Sequence, residues 1–232
     1  APALAQTYPT RPMTMVVPFA AGGAVDVLAR ALAARAAKIL GQQIVIENVG
    51  GAGGMIGSNR VAKAAPDGYQ FVLGSVGTHA QNQSLYKNPV YNVMRDFEPM
   101  ILIGETPLLL VSRKDFPANG LQEFIAHAKK HPGELKFGSA GVGSAIHLGC
   151  VLFNAAAGVT ASHIPYRGGA PAMQDLIAGR IDYSCNIITS AYPQVRDQAI
   201  KAPALLGAKR AALLPNLATA QEQGMTGFDA GS

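Results

Sequence analysis

At 232 residues, 49% of them hydrophobic and only 14% charged, the chain can bury a sizeable core as one large or two smaller domains, which excludes intrinsic disorder. No run of about 18 uncharged apolar residues is available to cross a bilayer. The net charge of +5 comes from scattered Lys and Arg and not from a basic stripe interleaved with aromatics, which argues against nucleic acid as a partner.

The chain opens Ala-Pro-Ala-Leu-Ala-Gln, and Ala3-Leu4-Ala5 has the small-x-small form of a signal-peptidase site, so export is expected. Met13 to Val17 reads as a strand. Val25, Leu28, Leu32, Ala36 and Ile39 then fall on one helical face, and Gly41 is placed to end that helix. Gln43 to Ile46 reads as a second strand. The glycine-rich stretch Asn48 to Gly57 leads into a short helix through about Ala64, and Pro66-Asp67-Gly68 turns the chain into a third strand at Tyr69 to Leu73. The order βαβαβ implies parallel strands joined by right-handed crossovers.

A second unit follows the same logic. Strands are expected at Leu108 to Ser112, Leu135 to Gly138, Ser162 to Pro165 and Ile181 to Ser184, with helices at Leu121 to Lys130, Ser144 to Ala157 and from Pro171. Ala218 to Gln223 reads as a last helix, after which "GMTGFDAGS" offers no closing element. Two α/β units in series predict two lobes with a cleft between them.

The turn Pro18-Phe-Ala-Ala-Gly-Gly-Ala-Val-Asp26 sits at a strand-to-helix junction, where glycines let a guest approach the backbone and a helix start offers unpaired N–H groups. Such a turn suits an anion; its plain alternative is a tight turn in which Asp26 favours the first helical turn. Gly51-x-Gly53-x-x-x-Gly57 misses the dinucleotide spacing by one residue, follows the second strand of its unit, and lacks the P-loop lysine, so a nucleotide site is disfavoured. "GSAGVGSAIHLG" (138 to 149) offers Ser139, Ser144 and His147. Neither serine stands in G-x-S-x-G, and Ser144 reads as a helix N-cap with His147 one turn on, which disfavours a hydrolase. Tyr166 and Arg167 stand at a strand end, where Arg can pair with a ligand carboxylate or be structural. "SVGTHAQN" from Ser75 supplies hydroxyls and amides, or is an ordinary polar connection. Cys150 and Cys185 stand apart from any His/Cys cluster, so no metal site or redox pair is indicated, and a disulfide between them is left open.

Together, "YPTRPMTMVVPFAAGGAVDVLAR", "IENVGGAGGMIGSNRVAKAAPDGY", "HPGELKFGSAGVGSAIHL", "IPYRGGAPAMQDLIAGRID" and "LPNLATAQEQG" resemble the Bug receptors, the solute-binding proteins of tripartite tricarboxylate transporters. The resemblance implies a two-lobed type II periplasmic-binding-protein fold, with a first lobe of residues 1–105 completed by 226–232 and a further C-terminal segment, and a second lobe of 106–225. It implies a periplasmic, monomeric receptor, without cofactor or reaction, that binds a di- or tricarboxylate, an acidic amino acid or an aromatic acid. Such a receptor delivers its ligand to a membrane permease with a large and a small subunit; presentation to a membrane sensor kinase is the alternative. By position, Phe19, Ala20, Ala21, Gly22, Gly23 and Asp26 match the first-lobe ligand loop, with Ser75 and Thr78 in the second segment of that lobe. Ser139, Gly143, Ser144 and His147 match the second-lobe loop, with Tyr166 and Arg167 beside it. Ala21 stands where the family usually has Pro, and Val49-Gly50 replaces a basic-residue-Pro pair.

Overall fold

The computed structural model describes residues 8–231, so the Ala3-Leu4-Ala5 site lies outside the described residues. A three-stranded parallel sheet comes first, in the order β2-β1-β3, from β1 (Met13–Val17), β2 (Ile44–Asn48) and β3 (Gln70–Val72). Helix α1 (Ala24–Leu40) crosses from β1 to β2 and ends at Gly41, whose φ of 68° is the left-handed cap that glycine adopts without strain. Its buried face differs from the expected one. Asp26, Ala29 and Ala33 are the buried positions, Val25 and Leu32 pack beside them, and Leu28 and Ile39 turn outward. The small alanines let the helix approach the sheet closely; the large apolar residues did not report that contact.

A 3₁₀ turn (Ala52–Gly54) and α2 (Met55–Ala62) carry the chain to β3. The stretch after β3, read as a polar connection, is helical instead: a π turn at Gly77–Gln81 runs into α3 (Asn82–Leu85), followed by the single turn α4 (Val93–Asp96).

The second sheet has five strands in the order β6-β5-β7-β4-β8, formed by β4 (Leu108–Arg113), β5 (Lys136–Ser139), β6 (Ser162–Pro165), β7 (Tyr183–Ile187) and β8 (Ile200–Leu205). Helices α5 (Leu121–Lys130) and α6 (Ala145–Ala157) contribute to the core on one face, and α7 (Gly169–Ile177) and α8 (Ile188–Arg196) to the core on the other. Period-two alternation places Leu108 and Leu110 in the first core and Leu109 and Val111 in the second, so β4 is buried on both faces. Cys150 on α6 and Cys185 on β7 form a disulfide inside the first of these cores.

Several expectations are corrected here. The second unit is not wholly parallel, because β4 runs antiparallel to both β7 and β8. Strand β7 begins and ends later than Ile181 to Ser184, and α8 and β8 were not foreseen. Ala218 to Gln223 forms a capped turn and no helix: the Thr219 N–H donates to the Glu222 carboxylate, the Glu222 N–H donates to the Thr219 hydroxyl, and the chain turns away at Gly224, where φ is 100°. Residues 226–231 stay with the second sheet and do not join the first, because Phe228 and Ala230 pack into its core and the Ala230 N–H donates to the Leu206 carbonyl.

Candidate functional site

The loop after β1 is shaped from within by Asp26. Its carboxylate, 3% exposed, accepts from the Gly22 N–H at 2.9 Å, Arg30 Nε at 3.0 Å and Asn48 Nδ2 at 2.9 Å, while Asn48 Nδ2 also donates to the Phe19 carbonyl at 3.1 Å. Burial alone would raise the Asp26 pKa, but these hydrogen bonds and the Arg30 charge outweigh it and hold the carboxyl below its ordinary range. Asp26 therefore orders the loop, its oxygens turned to Gly22, to Arg30 of α1 and to Asn48 of β2.

The loop after β5 is ordered in a different way. Ser144 caps α6, its hydroxyl accepting from the His147 N–H at 3.2 Å and donating to the Gly141 carbonyl at 2.7 Å. Gly141 and Gly143, at φ of 112° and 81°, take the left-handed turns that bring the chain into this cap.

Between these loops lies a cavity, partly open to solvent, bordered by the carboxyl ends of β1, β5 and β7. Four helices begin at its wall. Helix α1 contributes Gly23, Ala24 and Val25; α6 contributes Ser144, Ala145 and Ile146; α7 contributes Gly169; α8 contributes its N-cap Ile187 and Ser190. No side chain caps α1, α7 or α8; the Ile188 N–H of α8 donates to the Pro107 carbonyl at 3.1 Å, and each helix start carries about half a positive charge. None of the described residues lining the cavity has a charged side chain, and its walls are mostly apolar. Phe19, Ala140 and Ile146, with Val25 and Ile187, form one apolar cluster that joins both lobes. The arrangement can hold an anion against backbone N–H groups while burying an apolar body.

The lobes touch around this cavity. The Ala20 N–H donates to the Arg167 carbonyl at 3.1 Å, and the Tyr86 hydroxyl donates to the Val142 carbonyl at 2.9 Å. The glycines of the second glycine-rich stretch serve this approach: a Cβ at Gly50 would stand 2.6 Å from the Arg167 carbonyl oxygen, and one at Gly53 would overlap the Val142 carbonyl. Gly53, one of the glycines that failed the nucleotide spacing, thus lets two backbones meet.

Of the residues singled out in the sequence, Phe19, Gly23, Ser75 and Ser144 line the cavity. Ala20, Ala21 and Gly22 complete the β1 loop around it. Thr78 is buried, donating to the Ser75 carbonyl at 3.1 Å and accepting from the Ser75 N–H at 2.9 Å, so it holds Ser75 in place. Gly143 packs on Asn82 of the first lobe. The Tyr166 hydroxyl donates to Asp175 at 2.7 Å, and burial with that hydrogen bond pushes its pKa up to about 12. Arg167 contributes its carbonyl to the lobe contact, and its side chain is exposed.

Ser144 and His147 are not a catalytic pair. The Ser144 hydroxyl meets the His147 backbone, whereas the His147 ring accepts from the Gly143 N–H through Nδ1 at 3.3 Å. An unforeseen contact joins the Ser139 hydroxyl to His163 Nε2 at 2.6 Å, with the His147 and His163 rings 4.2 Å apart. The Gly141 N–H also donates to Ser139 Oγ at 3.1 Å. Burial and the neighbouring His147 lower the His163 pKa to about 4, but Ser139 is fully buried and does not line the cavity, so the pair does not present a nucleophile there. Sequence reasoning missed Asn186 and Ser190. With no glycine at the β7-to-α8 junction, "YSCNIITS" does not mark where strand gives way to helix.

Residues 28–232 match the family model described as tripartite tricarboxylate transporter family receptor. The chain is 40% identical over 223 residues to the UPF0065 protein in the TAR-I ttuE-ttuC' intergenic region of Agrobacterium vitis, covering 96% of this chain and 64% of that relative's length. Among solved structures, the periplasmic binding protein BugD is similar at 43% identity and a TM-score of 0.94, over 97% of this chain and 75% of BugD. MatC from Rhodopseudomonas palustris, solved with bound malate, is similar at 41% identity and a TM-score of 0.92, over 97% of this chain and 76% of MatC. The two-sheet α/β architecture is that of a periplasmic binding protein, and the chain belongs to the TctC family of tripartite tricarboxylate transporter receptors.

Proposed function

We propose that this chain is the ligand-binding part of a periplasmic receptor that captures a small carboxylate between its lobes and delivers it to a tripartite transporter permease with a large and a small membrane subunit. The observation that carries this reading is the convergence of four helix N-termini on one apolar cavity without a charged side chain. Backbone donors and helix ends attract a carboxylate, whereas the same wall offers little to a cation. Malate in the similar receptor MatC supports the same ligand class. The reading divides the chain near residue 105, between the two sheets, treats it as a monomer, and assigns it no catalysis. Export agrees with a core disulfide, which persists in an oxidising compartment; among the described residues no helix is long and apolar enough to cross a membrane.

In this reading Gly23 and Ala24 hold one carboxylate group, Ser75 and Ser144 contribute hydroxyl or backbone donors, and Phe19 packs on the ligand body. Binding at about 1 μM requires roughly 8 kcal/mol, within reach of a few charge-assisted hydrogen bonds plus apolar burial after ordering costs. Closure follows because the ligand touches both lobes only when they meet. The test is a thermal-shift panel of aliphatic dicarboxylates, tricarboxylates, acidic amino acids and aromatic acids, after unfolding and refolding to remove co-purified ligand. Ligand at about 100 times its dissociation constant stabilises by roughly 2.7 kcal/mol. A response confined to carboxylates supports the reading; a flat panel from folded protein refutes it.

A further inference from the structure

Asn186 is 1% exposed and lines the cavity at the end of β7, and its side-chain Nδ2 has no hydrogen-bond partner. Its Oδ1, by contrast, accepts from the Ile187 N–H at 2.9 Å and lies 2.9 Å from the Ser190 hydroxyl, whose one proton it shares with the Ile187 carbonyl at 3.0 Å. The orientation of the amide follows from chemistry. A backbone N–H can only donate, so the oxygen must face Ile187, and the NH₂ group is left buried and without a partner in the cavity wall. A buried amide donor without a partner costs free energy that a ligand oxygen would recover.

We propose that Asn186 is a specificity-determining residue that donates to an oxygen of the ligand, and that the cavity therefore selects carboxylates carrying a second oxygen acceptor and rejects α-amino acids of the same shape. This rests on the receptor reading above. The second half of the proposal comes from what faces the cavity. The described residues lining it include no Asp or Glu to receive an ammonium group. Asp26, close by in sequence, spends its carboxylate on Gly22, Arg30 and Asn48, and the Asn186 oxygen is spent on Ile187 and Ser190. An ammonium would lose its water, face four helix N-termini, and meet the donor end of the amide, whereas a hydroxyl, keto or second carboxylate oxygen meets a waiting N–H.

The experiment is calorimetric titration of the refolded, ligand-free protein with succinate, malate and aspartate, for the wild type, Asn186→Leu and Ser190→Ala. Leu keeps the side-chain size and removes the donor; Ala at 190 removes one of the two anchors of the Asn186 oxygen. Wild type is expected to bind succinate or malate at least about tenfold more tightly than aspartate. Asn186→Leu is expected to weaken the dicarboxylate about tenfold or more and to shrink the preference over aspartate, with the melting transition of the ligand-free protein checking that the variant is folded. Ser190→Ala is expected to change selectivity in the same direction by a smaller factor, which guards against a Leu variant that misfolds. Dicarboxylate binding left unchanged by both substitutions, or wild type binding aspartate as tightly as malate, overturns the proposal while leaving the receptor reading intact. Wild type that binds no carboxylate in the wider panel overturns the receptor reading and this proposal with it.

Discussion

Gly168→Ala isolates lobe closure from lobe stability. At φ 163° the residue is in extended backbone that alanine adopts without strain, so the substitution makes no local conformational demand. Its Cβ, however, would stand 2.7 Å from the Ala20 nitrogen and 2.9 Å from the Ala20 Cβ, across the lobe contact. Ordinary van der Waals separation requires the two backbones to part by roughly half an ångström or more. The Ala20 N–H to Arg167 carbonyl bond, now 3.1 Å, is then stretched or lost, at about 0.5 to 1.5 kcal/mol. Overpacking adds about 1 to 3 kcal/mol, relieved wholly or partly if the lobes open. Because only the closed state carries this cost, ligand affinity is expected to fall roughly tenfold to a hundredfold, with the urea midpoint of the ligand-free protein nearly unchanged. Calorimetry on the carboxylate found in the panel, paired with urea unfolding, measures both quantities. Unchanged affinity in a folded variant would refute the claim that the glycine loops set closure; an equal loss of ligand-free stability would show that this contact belongs to the fold and not to closure.

Three further expectations concern groups around the site. Asp26→Asn removes the charge that orders the β1 loop and should cost about 1 to 3 kcal/mol in urea unfolding. Since the folded Asp26 pKa lies below its unfolded value, the wild type should hold this contribution above about pH 4 and lose it as pH falls through the lowered value, and the variant's pH profile should be flatter there. His163 titrates at about 4 in the folded chain and near 6.5 unfolded, so the unfolded state binds the extra proton between those values; stability should decline as pH falls from about 6.5 to 4, and the His163 ring resonances should shift near pH 4 and not near 6.5. The Cys150 to Cys185 bridge closes a 35-residue separation, for which chain entropy gives about 4 kcal/mol, so reduction or Cys150→Ala with Cys185→Ala should lower unfolding free energy by an amount of that order, with carboxylate binding retained under native conditions.

The sequence made legible those parts of the fold in which local chemistry and tertiary need agree. Strand β1, the strand-to-helix turn at Phe19 to Gly23, the Gly41 stop and the Ser144 cap were all readable, because each rests on a residue type with a local role. What could not be read depends on partners distant in the chain. Ala29 and Ala33 reveal the buried face of α1 only once the sheet is in place, since a small side chain marks close approach and not hydrophobic strength. The antiparallel entry of β4 is decided by β7 and β8, more than 70 residues further on, and its apolar run is compatible with either direction. The site shows the same division. Serines and glycines in the loops marked the cavity wall, while Asn186 was hidden inside a strand whose end the sequence does not punctuate. Asp26 and Tyr166 stood out as polar residues near those loops, yet their partners Arg30, Asn48 and Asp175 turn them to ordering the protein itself.

The most direct measurement is a crystal structure of the protein with malate added after refolding. The account predicts density in the cavity between the β1 and β5 loops, with a carboxylate oxygen about 2.7 to 2.9 Å from first-turn N–H groups of α1 or α6 and no basic side chain paired with it. A malate held by Arg167 or another cation outside the cavity, or a cavity filled by side-chain collapse with the lobes still closed, would contradict it.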